Sequence, residues 1–437
     1  MIIKPFKLSI DNLIFLMLGS ALIGIAVSYG DFYLFHFFVG LLGFFSLYSI
    51  KDKQYKFSIK KIVTNYSFFP LIMFLWYSLS IIWSPSLLLS LKYIFYLFCG
   101  LLIQFSIIYY AQSKIKLDHL FKLFSSILVL ELVIALSESF TTFRMPVSPY
   151  SSLIQFFGKD PVDFTQTGLL FRYSNLNPPT GFRWNTNNLA ITMLLMLPFF
   201  LCSKKISIKI FGAISITTIT VMSASRAVFL GLIVIYCLYL LIIKKRIGTI
   251  VLVWLITISL FWGISKLRYI EDPRINEVAN SIQALELYIK GDLDIGGSLQ
   301  WRRELIDNGL EALNSSYGLG LGAGGSLAYQ EKIGAVAGRF TSMHNFWVEL
   351  LVEGGVVFAI IAFFWYTNII YNLFIVYKST KNTKLSYYGQ SLLLSTIGFV
   401  PAAVAASSTI YFFPMWIMLG MSISVILIYK DEIKLNE

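Results

Sequence analysis

The sequence predicts an all-α integral membrane protein of about twelve transmembrane helices, with both termini on the cytoplasmic side. Three observations predict it. Of 437 residues, 57% are hydrophobic and 13% are charged, whereas about a quarter of a soluble domain is charged. Apolar runs of bilayer-spanning length recur along the whole chain. Lysine and arginine are concentrated in alternate connections between those runs. With a mean hydropathy of +0.72, such a chain has too much apolar surface for one aqueous core, so the bilayer must be its solvent.

A membrane helix needs about 20 mostly apolar residues. Twelve runs approach that length: 11–29, 32–50, 66–83, 87–110, 118–138, 188–202, 206–222, 226–243, 247–265, 347–377, 386–403 and 408–429. Lys4 and Lys7 precede the first run and no small-residue cleavage signature follows it, so it is read as a retained helix. Cys99, Cys202 and Cys237 are scattered through apolar runs. They form neither a disulfide framework nor a metal motif.

Basic residues beside membrane helices are retained in the cytoplasm, and this sets the orientation. With the N-terminus inside, the inner connections hold 20 of the 35 basic residues, among them Lys51 to Lys61, Lys204 to Lys209 and Lys244 to Arg246. The short turns 84–86 and 404–407 on the other side carry no charge. The net charge of +12 is thus a topology signal, and nucleic acid is not needed to explain it.

Three regions follow: 1–265 with helices one to nine and an outer loop at 139–187, an extracytoplasmic loop at 266–346, and 347–437 with helices ten to twelve. Loops of this length are usually functional or disordered. The second loop contains an amphipathic stretch near 298–313, where Trp301, Leu305, Ile306, Leu310 and Leu313 recur at helical spacing and Ser298 is placed to cap. This loop is therefore expected to be partly helical and to carry an extracytoplasmic active site.

Of three histidines, His36 and His119 are read as structural. His344 lies where the long loop re-enters the membrane, with Thr341 or Ser342 available as a cap. A first-turn histidine at the positive end of a helix stays neutral and able to take a proton. Asn345, Glu349 and Glu353 follow at i, i+4 spacing and share a face. Carboxylates near membrane depth are costly unless they face a partner or a wet cavity. Both uses remain open for Glu349 and Glu353: contact with substrate, or hydrogen bonding to neighbouring helices.

Arg226, in the outer turn Ser223-Ala224-Ser225-Arg226, opposes the positive-inside trend. A fixed guanidinium there suits a phosphate oxygen; the alternative is a snorkelling arginine on lipid headgroups. Arg183 precedes the sixth helix on the same side, Lys92 lies at the outer end of the fourth, and Arg302 and Arg303 lie on the loop helix, completing a ring of cations. Gly318 to Gly325 satisfies GxGxxG, but no βαβ unit surrounds it and no nucleotide is available outside the cell. Flexible backbone near a lipid headgroup or pyrophosphate is the expected use. No transition-metal motif is present in the sequence, so neither metal nor cofactor is expected.

These landmarks together resemble the bacterial O-antigen ligase and polymerase family, which includes teichuronic-acid and capsule polymerases. They are Gly181-Phe182 through Asn188, the Ser225-Arg226 turn, Trp301-Arg302 ahead of the glycine-rich stretch, and His344-Asn345 followed by Glu353-Gly354-Gly355. Ile82-Trp83-Ser84-Pro85 leading into Lys92 also fits. The resemblance implies a metal-independent glycosyltransferase of the bacterial cytoplasmic membrane, its site facing the periplasm or cell exterior. It implies a donor glycan on undecaprenyl diphosphate, and an acceptor that is either another lipid-linked unit or lipid A-core. It also admits a chain-length regulator as a partner. By the same resemblance Arg226, with Arg183 or Arg302, holds the diphosphate, and His344 orients or deprotonates the acceptor hydroxyl. Polymerisation of lipid-linked repeat units is the first expectation, ligation to another acceptor the second. A lipid-linked-oligosaccharide flippase is the rival from another class; it should show short loops and internal two-fold similarity.

Overall fold

The computed structural model describes residues 9–51, 64–160, 178–245, 297–334, 342–380, 383–406 and 410–436. The expected ninth helix at 247–265 and the loop residues 266–296 lie outside the described residues.

Five helices are α1 Ile10–Ile23, α2 Leu34–Lys51, α3 Phe68–Leu79, α4 Leu87–Tyr110 and α5 Lys114–Phe140. The first two are joined by a hairpin of β1 Ser28–Tyr29 and β2 Phe32–Tyr33. Then come α6 Thr186–Leu201, α7 Ile206–Met222, and α8 Arg226–Leu238, which continues as a π turn to Ile243. Next are α9 Gly297–Ser315, α10 Gly325–Lys332, α11 Phe346–Gly354, α12 Val356–Ser379, α13 Lys384–Ala402 and α14 Phe413–Asn436. Among the described residues, α4, α5, α8 with its π turn, α12 and α14 are long and apolar enough to cross a membrane; α1, α2, α3, α6 and α7 are shorter apolar helices.

Helix α13 lies at the centre of the bundle and packs on α6, α8, α12 and α14. Without a hydrophobic drive between helices in lipid, close approach depends on small residues and interhelical hydrogen bonds. Both are present. A Cβ on Gly231 of α8 would meet Gly398 O at 3.0 Å, and one on Gly398 would meet Ile235 at 2.5 Å. From α13, Ser395 donates to Leu195 O at 2.7 Å and Tyr387 to Phe199 O at 2.8 Å. These bonds surround Pro198, which supplies no backbone donor of its own to α6.

The two ends of the bundle differ chemically. At one, Lys116 pairs with Asp11 at 2.9 Å, Lys114 with Glu432 at 2.5 Å and Lys384 with Asp118 at 3.2 Å. The starts of α1, α5 and α13 and the end of α14 thus meet there, all four from segments expected on the cytoplasmic side. The other end gathers the β-hairpin, the 178–184 turn and the α9–α11 layer. Gly24, just past α1, abuts Arg183, and Ser80 and Ser90 bond to Ala323.

Two sequence expectations change here. The apolar run 347–377 is two helices, broken at Gly355, whose φ is +87°. Its N–H bonds to Leu351 O while its Cα faces Leu319 O, where a Cβ would lie 2.3 Å away. Glu353-Gly354-Gly355 marks the break in the sequence, but reading 347–377 as one run by its length passed over it. In α9 the buried face is Leu305, Gly309, Ala312 and Leu313, whereas Leu310 is exposed. The two small residues admit Met343, which touches Gly309 and clusters with Leu313 and Val352.

Candidate active site

His344 is held between two anchors. On one side Met343 is wedged against α9. On the other, Phe346 N–H bonds to Ala403 O at 3.3 Å and Trp347 Nε1 to Val400 O at 2.8 Å, fixing the start of α11 to the end of α13. Between them His344 adopts φ +47°, a left-handed conformation that costs of order 1 kcal/mol and persists where surroundings over-determine it. Asn345 is the N-cap of α11, its Oδ1 accepting from Val348 N–H at 3.4 Å. His344 therefore precedes the helix and does not sit in its first turn, as a cap at Ser342 would require. Ser342 Oγ instead accepts from the His344 N–H at 3.4 Å.

The imidazole is kept neutral all the same, by a different cause. Burial and the nearby Arg302 guanidinium push His344 down from its usual 6.5 to about 4. Removing a charge from water and placing it near a like charge both disfavour the imidazolium. The loop helix α9 thus places Arg302 in electrostatic reach of His344. Arg303, one residue on, pairs with Asp307 at 3.7 Å on the exposed side of α9.

Arg226 opens α8, after Ala224 at φ +50°. Its side chain is exposed. Gly231, about one and a half turns further along α8, packs on Gly398 and Ala402 of α13, so the first turn of α8 lies beside the C-terminal end of α13. The start of α11 is bonded to Val400 and Ala403 at that same end. Arg226 and His344 thus flank one helix end, opposite the end that carries the lysine–carboxylate pairs. Ser225, at the N-cap of α8, makes no capping bond, and its buried Oγ has no hydrogen-bond partner among the described residues. A helix N-terminus, an arginine and a buried hydroxyl together suit an anion.

Glu349 and Glu353 are both buried. Tyr93 of α4 donates to Glu349 Oε1 at 3.4 Å. Glu353 accepts from Ser326 Oγ at 2.7 Å at the start of α10, and the N–H groups of Gly324 and Ser326 and the Tyr77 hydroxyl face it. The glycine-rich stretch beside it is scaffold. Leu321 N–H and Gly322 N–H bond to Val352 O and Glu353 O, at 2.9 and 3.0 Å, and Ala323 N–H to Ser80 Oγ at 2.9 Å. A Cβ on Gly320 would lie 2.5 Å from Glu353 O. These glycines serve close packing with their donors spent inside the protein, in place of the flexible headgroup contact that the sequence suggested.

Arg183 is committed elsewhere. Its Nε and Nη2 reach the two oxygens of Glu131 at 2.9 Å each, and Nη2 also reaches Leu22 O at 2.8 Å. Lys92 is exposed on α4, 5.8 Å from the Tyr96 ring centre. Among the described residues no three His, Cys, Asp or Glu side chains gather as a metal group would.

The segment that carries Arg226, Arg302, His344, Asn345, Glu349 and Glu353 is also the one that the family comparison picks out. Residues 211–364 match the O-antigen ligase family. The match supports the O-antigen ligase and polymerase resemblance read from the sequence, and covers about a third of the chain. No curated protein matches the chain. Arg183 and Lys92 lie before the O-antigen ligase segment. Sequence reasoning gave Tyr93 no role beside Glu349, because a hydroxyl in an apolar run carries no signal until its helix neighbours are known; Ser225 was named only as part of the Ser225-Arg226 turn.

The chain has only three histidines, so histidine-selective ¹⁵N labelling, with His344→Gln as the difference sample, resolves this imidazole. It should remain neutral at pH 7 and pH 5.5 and titrate near 4. In Arg302→Gln the midpoint should rise toward 6.5. The linkage has one sign: the unfolded chain takes this proton below about 6.5 while the native one does so only near 4, so native stability falls as the pH drops through that window. A midpoint at or above 6.5 in the unmodified protein would contradict the assignment.

Proposed function

We propose that the protein is a membrane glycosyltransferase that polymerises undecaprenyl-diphosphate-linked oligosaccharide repeat units of a surface polysaccharide, at the outer face of the bacterial cytoplasmic membrane. What supports this reading is that the helix starts bearing Arg226 and His344 both lie beside the C-terminal end of α13, within the stretch that matches the O-antigen ligase family. A sugar diphosphate is already a good leaving group. The protein must therefore neutralise charge that grows on the diphosphate as the C1–O bond breaks, and align two lipid-anchored partners.

In this reading Arg226, the first turn of α8 and Ser225 receive the diphosphate, with Arg302 assisting from α9. His344, kept neutral, takes the proton of the acceptor hydroxyl as its oxygen attacks the anomeric carbon. The electron pair of the broken bond leaves with the diphosphate. One displacement inverts the anomeric centre. Glu349 and Glu353 act behind the site by holding α11 and α10, and Asn345 fixes the backbone on which His344 turns. Metal is not required by this scheme.

The name of the matched family favours a second reading, transfer of the glycan to lipid A-core or another acceptor. One experiment separates the two. Purified protein in nanodiscs, given a synthetic undecaprenyl-diphosphate repeat unit and no other acceptor, should yield a ladder of products. No product without a separate acceptor selects the ligase, and no transfer to either acceptor removes the glycosyltransferase reading altogether.

A further inference from the structure

We infer that the end of the bundle holding His344 also carries a glycan-binding strip, built from tyrosines with a lysine at each end, that takes an anionic saccharide. This rests on the glycosyltransferase reading and extends it to the sugars that follow the reacting one.

The strip starts at Lys159. Its Nζ donates to Ser28 Oγ at 2.8 Å and lies over two rings, Trp184 at 5.5 Å and Tyr33 at 5.8 Å. Tyr33 stacks on His36 with ring centres 5.3 Å apart, His36 lies 5.7 Å from Phe95 of α4, and Phe95 lies 6.4 Å from Tyr96. Tyr96 and Tyr411 pack with ring centres 5.1 Å apart, and Lys92 lies over Tyr96 at 5.8 Å. Tyr96 neighbours Tyr93, 6.3 Å away between ring centres, and Tyr93 reaches Glu349 of α11, the helix that His344 leads into. Residues from the hairpin, Lys159 and Trp184, α4 and Tyr411 just before α14 thus meet in one line toward the site.

The line is open to a ligand. Trp184 is 41% exposed and Tyr411 37%, Lys92 is exposed, and Lys159, Tyr33 and Tyr96 are half-buried. An aromatic belt at a membrane boundary accounts for exposed rings alone. It does not account for two lysines set over those rings at the end opposite the lysine–carboxylate cluster. Sugar rings present C–H faces to aromatic rings and hydroxyls to phenols and carboxylates, which Tyr33, Tyr96, Tyr411 and Asp31 supply. A cation over a ring is held in place by the ring's quadrupole, leaving its ammonium ready to meet a carboxylate or phosphate on the sugar. That selects acidic over neutral saccharides.

The test uses the full chain in nanodiscs and two soluble probes of equal length, tetragalacturonate and maltotetraose, titrated by calorimetry at low and high salt. Tetragalacturonate should bind and maltotetraose should not, with affinity falling as salt is raised. Lys92→Gln combined with Lys159→Gln should weaken binding at least tenfold, and Tyr96→Leu should weaken it at unchanged thermal stability. Equal binding of both probes, no binding of tetragalacturonate, or unchanged binding in the double variant overturns the strip. His344→Gln keeps the two readings apart: it should bind tetragalacturonate normally while losing transfer. Loss of binding in that variant also counts against the strip, whereas retained transfer counts only against the glycosyltransferase site.

Discussion

His344→Gln and Arg226→Gln should each reduce glycan transfer to background while leaving an inserted, monodisperse protein. His344 is one proton acceptor, and removing a positioned general base typically lowers the rate by about 10²–10⁴-fold. Gln keeps hydrogen-bonding ability without the basic nitrogen, so the loss isolates proton transfer. Arg226→Gln removes a donor aimed at charge that develops during bond breaking, a loss of about 10²–10³-fold for a single oxyanion donor. Arg226→Lys should recover part of this, because a point charge remains without the planar fork that grips two oxygens. The pair acts on one transition state, so the double variant should lose much less than the product of the two losses. The measurement is the initial rate of lipid-linked donor consumption in nanodiscs. If either single variant turned over at more than about a tenth of the unmodified rate, far above the loss expected for a proton-transfer or oxyanion group, that residue would have to be removed from the site.

The parts of this fold that sequence read well are those governed by one-dimensional rules. Membrane helices must satisfy their own backbone, so apolar run length maps directly onto element length; the runs 87–110, 206–222 and 226–243 coincide with α4, α7 and α8 with its π turn. What sequence concealed depends on contacts between distant segments. At the Gly355 break the Gly354-Gly355 pair was legible as a weak point, but the packing of Gly318 and Leu319 against it was not. The neutrality of His344 was foreseen from a helix dipole, whereas burial and Arg302 supply it. The glycines of 318–325 were legible as special positions, but whether their backbone faces a ligand or Glu353 is a three-dimensional fact. Arg226 was visible as a cation against the positive-inside trend, and His344 as an imidazole where the long loop re-enters the apolar run. Their placement at one end of α13 required knowing that Gly231 meets Gly398.

Arg183→Ala should be among the most destabilising single changes in the chain, although its residue touches no reacting group. Its side chain is 7% exposed and that of Glu131 is fully buried. The fork-to-carboxylate geometry at 2.9 Å on both arms satisfies both charges, and the Phe182 N–H adds a 3.3 Å bond to the same carboxylate. Removing the arginine strands a buried carboxylate, a loss of about 3–5 kcal/mol in comparable pairs. The neighbouring Glu138 limits the damage: it holds the N–H groups of Thr180 and Gly181 at 2.7 Å and of Met145 at 3.0 Å, so the turn into α6 stays attached to α5. The measurement is thermal unfolding in detergent, followed by loss of the monodisperse peak. Glu131→Gln should also destabilise, because the buried Arg183 guanidinium loses its counter-charge and one of its two acceptor oxygens becomes an NH2 donor. Replacing both with Met and Leu should recover much of the loss, since an apolar pair of similar volume carries no desolvation penalty. Equal stability of Arg183→Ala and the unmodified protein would mean that water reaches Glu131, and the buried ion pair would then have no part in holding the C-terminal half of α5 against α1 and α6.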